Sequence, residues 1–124
     1  MDMKLELIPV PVSDIDRAKT FYTEKLGFTA DHDVRPADGV RVLQLTPPGS
    51  SCSIVLSTGL GIEMQVGCLR GLHLVVADIS KAREELAGRG VAMDDILDLG
   101  GIKFAGFSDP DGNTWTLQEI PGRA

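Results

Sequence analysis

Apolar positions in the first third of the chain follow a helical spacing. Four apolar residues recur every three or four positions between 13 and 27, namely Ile15, Ala18, Tyr22 and Leu26. This spacing is typical of the buried face of a helix. Ser13 and Asp16 match a capping box and predict that the helix begins there, while Gly27 favours its end.

Short apolar runs between turn-forming residues predict strands around this helix. In the first half they cover 5–12, 28–33, 40–46 and 52–57. Pro9 and Pro11 cannot donate ladder hydrogen bonds. The first strand is therefore predicted to lie at a sheet edge or to bend.

The same order of elements occurs twice. The stretch from Val12 to Ala18 (VSDIDRA) is echoed 64 residues later by the stretch from Val76 to Ala82 (VADISKA). The second half adds a strand at 72–76, a helix from Asp78 to Gly90, and strands at 91–93, 103–108 and 114–119. We therefore predict an α+β fold in a single domain, with two tandem βαβββ modules at about 5–57 and 71–120 and a linker at 58–70.

Alternation along the strands assigns their faces. Large apolar residues such as Ile54, Leu56, Trp115 and Leu117 should contact the helices, because each sheet buries its apolar face against its helical layer. The result is two curved mixed sheets around a cleft, with helices on the outer faces. The intervening residues should line the cleft and bind a ligand there. They are Leu7, Pro9, Gln44, Val55, Gly71, His73, Thr116 and Gln118.

Composition excludes several classes of partner. The net charge of −6 and the absence of a basic stripe argue against nucleic-acid binding. Charged residues throughout the first 25 positions do not fit a signal peptide, and no stretch reaches the ~18 apolar residues of a membrane span. We therefore expect a cytoplasmic protein in which Cys52 and Cys68 are free thiols.

Two motifs carry a resemblance to a known family. The early VSDIDRAKTFYTEKLGF and the late FSDPDGNTWTLQE, in this order, resemble the vicinal-oxygen-chelate superfamily of glyoxalase I, bleomycin-resistance and extradiol-dioxygenase proteins. The likeness extends from about Leu5 to Glu119. It implies the duplicated fold, but not one activity, because the superfamily includes lyases, isomerases, dioxygenases, thiol transferases and non-catalytic drug binders.

The resemblance also locates the positions that hold metal in the family's enzymes. Its histidine positions correspond to Leu7 and Gly71, and its glutamate positions to Val55 and Thr116. None of these residues offers an imidazole or a carboxylate, so no metal or other cofactor is predicted. Asp109, Asp111 and Asn113 resemble calcium ligands, but a tight turn explains them better.

Three functions remain open at this point. The first is metal-independent binding and sequestration of a small organic ligand, an antibiotic or a metabolite, by a homodimer. The second is a lyase or isomerase that uses His73 with Gln44 in an unconventional metal site, or His73 alone as an acid–base catalyst. The third is a regulatory module. His73 is interpreted as a hydrogen-bonded residue of the cleft wall, and it is the candidate catalytic residue if the chain is an enzyme.

Overall fold

A computed structural model of the chain describes residues 1–123 and divides it into two compact units. The first unit comprises Met1–Cys68, and the second begins at Leu69. The boundary therefore falls inside the stretch predicted as the linker. Each unit contains one four-stranded sheet, which confirms the α+β class and the two repeated modules.

The first unit has the order β1 (Leu7–Pro9), α1 (Ile15–Thr20), a π-helical turn (Phe21–Lys25), β2 (Thr29–Ala37), β3 (Val40–Thr46) and β4 (Ser53–Thr58). Its strands lie in the order β1-β4-β3-β2. β1 pairs parallel to β4, and the other pairs are antiparallel. β1 is thus an edge strand of this sheet, as its prolines predicted, although it is shorter than expected.

The helix begins one residue later than the capping-box pattern suggested. Asp14 is the N-cap, and its carboxylate accepts a hydrogen bond from the Arg17 amide at 3.1 Å. The Ser13 hydroxyl instead accepts a bond from the Arg17 guanidinium. The predicted apolar face is confirmed, because Ile15, Ala18, Tyr22 and Leu26 are all buried.

An ionic cluster ties α1 to the sheet of the first unit. Arg41 of β3 is only 8% exposed and donates to both carboxylate oxygens of Asp33, at 3.0 and 2.9 Å. It also reaches Asp16 on α1 at 2.7 Å, and Lys19 on α1 reaches Asp33 at 2.8 Å. The face of β3 that carries Arg41 is therefore the face that α1 covers.

The second unit has the order β5 (Leu72–Val75), α2 (Ile79–Gly88), β6 (Leu97–Leu99), β7 (Ile102–Ser108) and β8 (Thr114–Glu119). Its strands lie in the order β5-β8-β7-β6, which repeats the order of the first sheet. Asp78 caps α2 by accepting a hydrogen bond from the Lys81 amide. α2 packs on β7 and β8, where Trp115 and Leu117 are buried.

The strand predicted at 91–93 is wrong. Val91 is buried and donates its amide to the carbonyl of Leu86, so it closes the end of α2 instead of joining the sheet. The strand lies at Leu97–Leu99, where Leu99 pairs with Ile102 across Gly100 and Gly101. Both glycines have positive φ and form a tight two-residue turn. This turn brings Leu99 opposite Ile102 and so sets where the strand before it lies.

The Asp-Pro-Asp-Gly segment at 109–112 is a turn that is stabilised by hydrogen bonds to the Asp109 side chain. Asp109 accepts bonds from the amides of Asp111 and Asn113, at 3.0 and 2.9 Å. The Asn113 side-chain amide donates to the other Asp109 oxygen at 2.8 Å, and its oxygen accepts from the Leu69 amide. These bonds support the interpretation of the segment as a turn.

Candidate ligand-binding faces

The strand register identifies a row of four side chains on the helix-free face of the first sheet, the face opposite α1. Pro9 pairs with Val55, Val55 with Gln44, and Gln44 with His32. Paired residues point to the same side of a sheet. Three of the predicted ligand-binding residues therefore adjoin one another, and the side chain of Gln44 has no hydrogen-bond partner within residues 1–123.

A small pocket of about 120 Å³ lies at the β1 end of this row. Pro9 and Val55 contribute to its wall, and so does the segment 62–66 of the predicted linker. This segment is held to the end of β1 by a hydrogen bond from the Gly67 amide to the Pro11 carbonyl. Val55 is consequently only 6% exposed, so it lines a partly covered pocket and not an open wall.

Three pocket residues were missed by the sequence analysis. Ile62, Met64 and Val66 come from a stretch that was treated as a linker because of its glycines. Their spacing of two is the signal that could have identified them, since it places three apolar side chains on one side of an extended segment.

Leu7 lies on the same face and is 38% exposed. It pairs with Ser53, whose hydroxyl lies 2.6 Å from that of Thr46. The Thr46 hydroxyl donates in turn to the carboxylate of Asp31. The first helix-free face is thus apolar along β1 and hydroxyl-rich at the end of β3.

The second sheet carries an equivalent row on the face opposite α2. His73 pairs with Thr116, and Thr116 pairs with Gly106. In the next row Val75 pairs with Gln118. The structure therefore places four predicted residues, Gly71, His73, Thr116 and Gln118, on or beside this sheet. Leu7, Pro9, Gln44 and Val55 lie on the other sheet, and the cleft between the two groups stays a prediction.

His73 is exposed, and one of its ring nitrogens is occupied. Nδ1 lies 2.5 Å from the carbonyl oxygen of Gly71, which can only accept, so Nδ1 carries the proton. The ring also meets Phe104 edge to face at a centroid distance of 6.2 Å. Nε2 is left as a hydrogen-bond acceptor, because a neutral imidazole protonates one nitrogen only.

Gly71 contributes backbone hydrogen bonds and has no side chain that could contact a bound molecule or a metal ion. Its φ is +74°, a conformation that side-chain-bearing residues rarely adopt. Its amide donates to the carbonyl and hydroxyl oxygens of Thr114, at 3.1 and 2.7 Å. A histidine at this position would be strained, which gives a physical reason why the family's metal position holds glycine here.

Asp94 was also missed, because it directly follows the wrongly predicted strand. Its amide donates to the Gly106 carbonyl at 2.9 Å, and its carboxylate oxygen lies 2.7 Å from the point where a Gly106 Cβ would be. That point is on the face of Thr116, the cross-strand partner of Gly106. The carboxylate therefore lies over the second helix-free face.

The residues that the resemblance assigns to the family's metal positions do not fit a divalent ion. Leu7, Val55 and Gly71 have no donor side chain, and a single Thr116 hydroxyl is a poor ligand. Within residues 1–123, no three His, Cys, Asp or Glu side chains come close enough together to hold a metal. Cys52 and Cys68 are free thiols, as predicted.

Asp33 and Arg41, whose pKa values are shifted, lie away from both helix-free faces. The Arg41 guanidinium and the Lys19 ammonium hold the pKa of Asp33 well below its usual range through direct hydrogen bonds. The two carboxylates raise the pKa of Arg41 in return. This cluster lies on the helix side of β3, so it stabilises the fold of the first unit and does not face a ligand.

The chain is similar in sequence and in fold to known proteins. The model of the Glyoxalase/Bleomycin resistance protein/Dioxygenase superfamily matches residues 4–117. The structure of TnmS3, an antibiotic binding protein from Streptomyces sp. CB03234, is 39% identical with a TM-score of 0.84, covering 95% of this chain and 96% of that one. A glyoxalase/bleomycin resistance protein from the same organism is 40% identical with a TM-score of 0.78, covering 92% and 98%.

A curated relative is YwkD of Bacillus subtilis (strain 168), an uncharacterized protein that is 32% identical over 84% of this chain and 87% of its own length. No helix within residues 1–123 is both long and apolar enough to cross a membrane. The family match covers nearly the whole chain, and the two modules have the same strand order. The chain therefore belongs to the Glyoxalase/Bleomycin resistance protein/Dioxygenase superfamily.

Proposed function

We propose that the chain binds and sequesters a small organic molecule, an antibiotic or a metabolite, without a metal ion. The observation that carries the proposal is the chemistry of the four family metal positions. Leu7, Val55, Gly71 and Thr116 cannot form a metal site, yet the surrounding faces retain hydrogen-bonding side chains, notably Gln44 and His73. A site with such groups but without a metal suits binding better than metal-dependent chemistry.

The similarity to TnmS3 supports the same proposal. That protein is an antibiotic binding protein, and the likeness covers almost all of both chains at 39% identity. The first helix-free face adds a small pocket lined in part by Pro9, Val55 and Ile62, and the second adds an exposed imidazole. Apolar surface with a few polar groups is the usual character of a small-molecule site.

Acid–base catalysis by His73 is the second candidate. With Nδ1–H bonded to the Gly71 carbonyl, Nε2 is free to accept a proton from a substrate. This arrangement orients a general base, and the carboxylate of Asp94 projects over the same face of the sheet. A lyase or isomerase that needs no metal would use these groups.

A homodimer in the cytoplasm is part of the proposal. Apolar side chains at the start of the chain, including Met3, Leu5 and Leu7, are exposed beside the edge strand β1. Edge strands and apolar surface are commonly covered by a second copy, and a twofold pair is the usual arrangement. A second copy would remove this surface from water.

A thermal-shift screen tests the proposed function. The protein is heated with natural-product antibiotics and, separately, with divalent metals after dialysis against a chelator. A ligand at 100 times its Kd stabilises the folded state by about 2.7 kcal/mol, so true ligands raise the melting temperature by several degrees. We expect stabilisation by an organic ligand only.

Turnover separates the two candidates. Any stabilising compound is incubated with the protein and followed by mass spectrometry. Recovery of the compound unchanged supports sequestration, whereas its conversion by the wild type, abolished by His73→Ala, would establish the enzyme instead. Stabilisation by metals alone would contradict both metal-free candidates.

A further inference from the structure

We infer that the helix-free face of the second unit selects ligands that donate hydrogen bonds, above all protonated amines, and that Asp94 is the residue that selects for positive charge. The inference rests on the proposed binding function and names the chemical class of ligand for it. Asp94 thereby joins His73 and Thr116 as a specificity-determining residue.

The position of Asp94 is set by backbone contacts on both sides. Its amide donates to the Gly106 carbonyl of β7 at 2.9 Å. Its carbonyl accepts the Nε–H of Arg83 from α2 at 2.7 Å, and the same guanidinium approaches Asp95 at 3.5 Å. The backbone of Asp94 is therefore fixed by one bond to β7 and one to α2, even though the residue belongs to an irregular segment.

Gly106 provides the space that the carboxylate occupies. A methyl group on Gly106 would lie 2.7 Å from the Asp94 oxygen, closer than nonbonded atoms tolerate. Gly106 has an ordinary backbone conformation, because its φ is not positive. Glycine is therefore not required at position 106 by the backbone conformation. It is required by the close approach of the Asp94 carboxylate.

The Asp94 carboxylate is available to a ligand. The residue is exposed, and its side chain has no hydrogen-bond or ionic partner within residues 1–123. Arg83, the nearby cation, bonds to the Asp94 backbone and pairs with the side chain of Asp95. The negative charge of Asp94 is thus not neutralised by the protein.

The side chains along the row His73–Thr116–Gly106, together with the Asp94 carboxylate beside Gly106, therefore offer hydrogen-bond acceptors to a ligand. Nε2 of His73 accepts because Nδ1 carries the proton, and an ionised carboxylate accepts only. The Thr116 hydroxyl, between them in register, can act either way. A ligand with an ammonium or guanidinium group and a hydroxyl matches this row, whereas a carboxylate would face repulsion from Asp94. The net charge of −6 acts in the same direction at long range.

The first unit lacks this charge at the equivalent positions. Its row carries Pro9, Val55, Gln44 and His32, in which Gln44 takes the place of Gly106. Gln44 carries a neutral amide side chain at the position where the second unit has no side chain. The carboxylate on the first face, that of Asp31, accepts a hydrogen bond from the Thr46 hydroxyl, whereas the carboxylate of Asp94 has no partner within residues 1–123.

NMR titration with three probes of similar size tests the inference: benzylammonium, benzyl alcohol and phenylacetate. Amide shifts of the ¹⁵N-labelled protein locate each probe and give its affinity. We expect benzylammonium to shift the amides of Asp94, Gly106, His73 and Thr116 and to bind at least fivefold more tightly than benzyl alcohol. Phenylacetate should bind least. Equal or tighter binding of either other probe, or benzylammonium shifts elsewhere, would overturn the inference.

Three variants identify the responsible charge. Asp94→Asn should weaken benzylammonium binding about fivefold, and Gly106→Ala should weaken it similarly by displacing the carboxylate. Asp95→Asn is the matched control, because it removes the same formal charge one residue away, from a side chain paired with Arg83. It should change the affinity less than twofold. An equal loss in Asp95→Asn would show a general charge effect and refute a role for Asp94.

The outcomes separate this inference from the proposed function. If benzylammonium binds as expected but no antibiotic or metabolite does, the function fails and the charge selection stands. If an antibiotic binds and its affinity is unchanged in Asp94→Asn, the function stands and the inference is wrong. Amide spectra of each variant verify that it is folded.

Discussion

At the scale of single residues, polar side chains in this chain divide into those that complete the fold and those that remain open. Asp109 and Asn113 form hydrogen bonds with each other within a turn, and Asn113 also accepts a hydrogen bond from the Leu69 amide. Gln44 makes none within residues 1–123, and His73 leaves Nε2 unused. Substitutions should therefore separate stability from binding.

His73→Ala and Gln44→Ala should each weaken a bound ligand by about 1 to 3 kcal/mol, because each removes one hydrogen bond. Stability should change little, since His73 is exposed and Gln44 has no internal partner. Isothermal titration and thermal melts of the same samples provide the two measurements. A large drop in melting temperature with unchanged affinity would make His73 a structural residue.

Asn113→Ala should lower the free energy of unfolding by about 3 kcal/mol, because it removes the hydrogen bonds that the Asn113 side chain makes to the buried Asp109 carboxylate and to the Leu69 amide. Asn113 is 0% exposed, so water cannot replace these bonds. Urea unfolding measures the change. Asp38→Ala, in the exposed turn between β2 and β3, is the control and should change stability by less than about 0.5 kcal/mol.

At the scale of elements, the Asp33–Arg41 pair links β2 to β3, is tied to α1 through Lys19 and Asp16, and makes stability depend on pH. The pKa of Asp33 is lower in the folded chain than in the unfolded one. Its contribution is therefore complete above the unfolded value of about 3.9 and declines as the pH falls through the folded value.

Asp33→Asn should lower stability at pH 7 by about 1 kcal/mol, a modest figure because the carboxylate is partly exposed. The difference from the wild type should shrink as the pH is lowered from 5 toward 2. Thermal melts across this range measure it, with Asp38→Asn as the control for net charge. A difference that stays constant with pH would refute a role for the ionised pair.

At the scale of the whole molecule, the duplication has produced two sheets of the same strand order with different chemistry. The first face combines a small, partly covered pocket with an amide, and the second combines an imidazole with a carboxylate. Neither carries the donors of the family's metal positions. Two predictions concern the intact protein.

Protein purified without chelator should contain less than about 0.1 equivalents of nickel, zinc, iron or manganese, because Leu7, Val55, Gly71 and Thr116 do not form a metal site. Inductively coupled plasma mass spectrometry measures the content. One equivalent of any of these metals per chain would contradict the proposal.

The molar mass in solution should be twice the 13.3 kDa of one chain, because a second copy would cover the apolar residues beside β1. Light scattering after size exclusion measures the mass. Leu5→Glu should shift the equilibrium toward the monomer, and the exposed control Glu84→Gln should not. A mass of one chain at all micromolar concentrations would exclude the dimer.

Local patterns were sufficient for most of the fold. The spacing of Ile15, Ala18, Tyr22 and Leu26 predicted a buried helical face, and β3 and β8 have the predicted bounds. Alternation placed Val55 and Thr116 opposite the helices because the side-chain period of a strand is two. The prediction that no metal is bound also rests on residue identity alone, and it stays a prediction.

What only the tertiary structure decided depends on contacts between distant parts of the chain. The segment 62–66 lines the pocket because the chain next to it is bonded to Pro11 through the Gly67 amide, and no local sequence pattern predicts that bond. Asp94 lies over the sheet because Arg83, Gly106 and the turn at Gly100 together set its register. Such positions arise from several weak, nonlocal contacts. The sequence by itself therefore determined most elements and which side of a strand faces its helix, and the tertiary structure decided which side chains from distant segments lie next to one another.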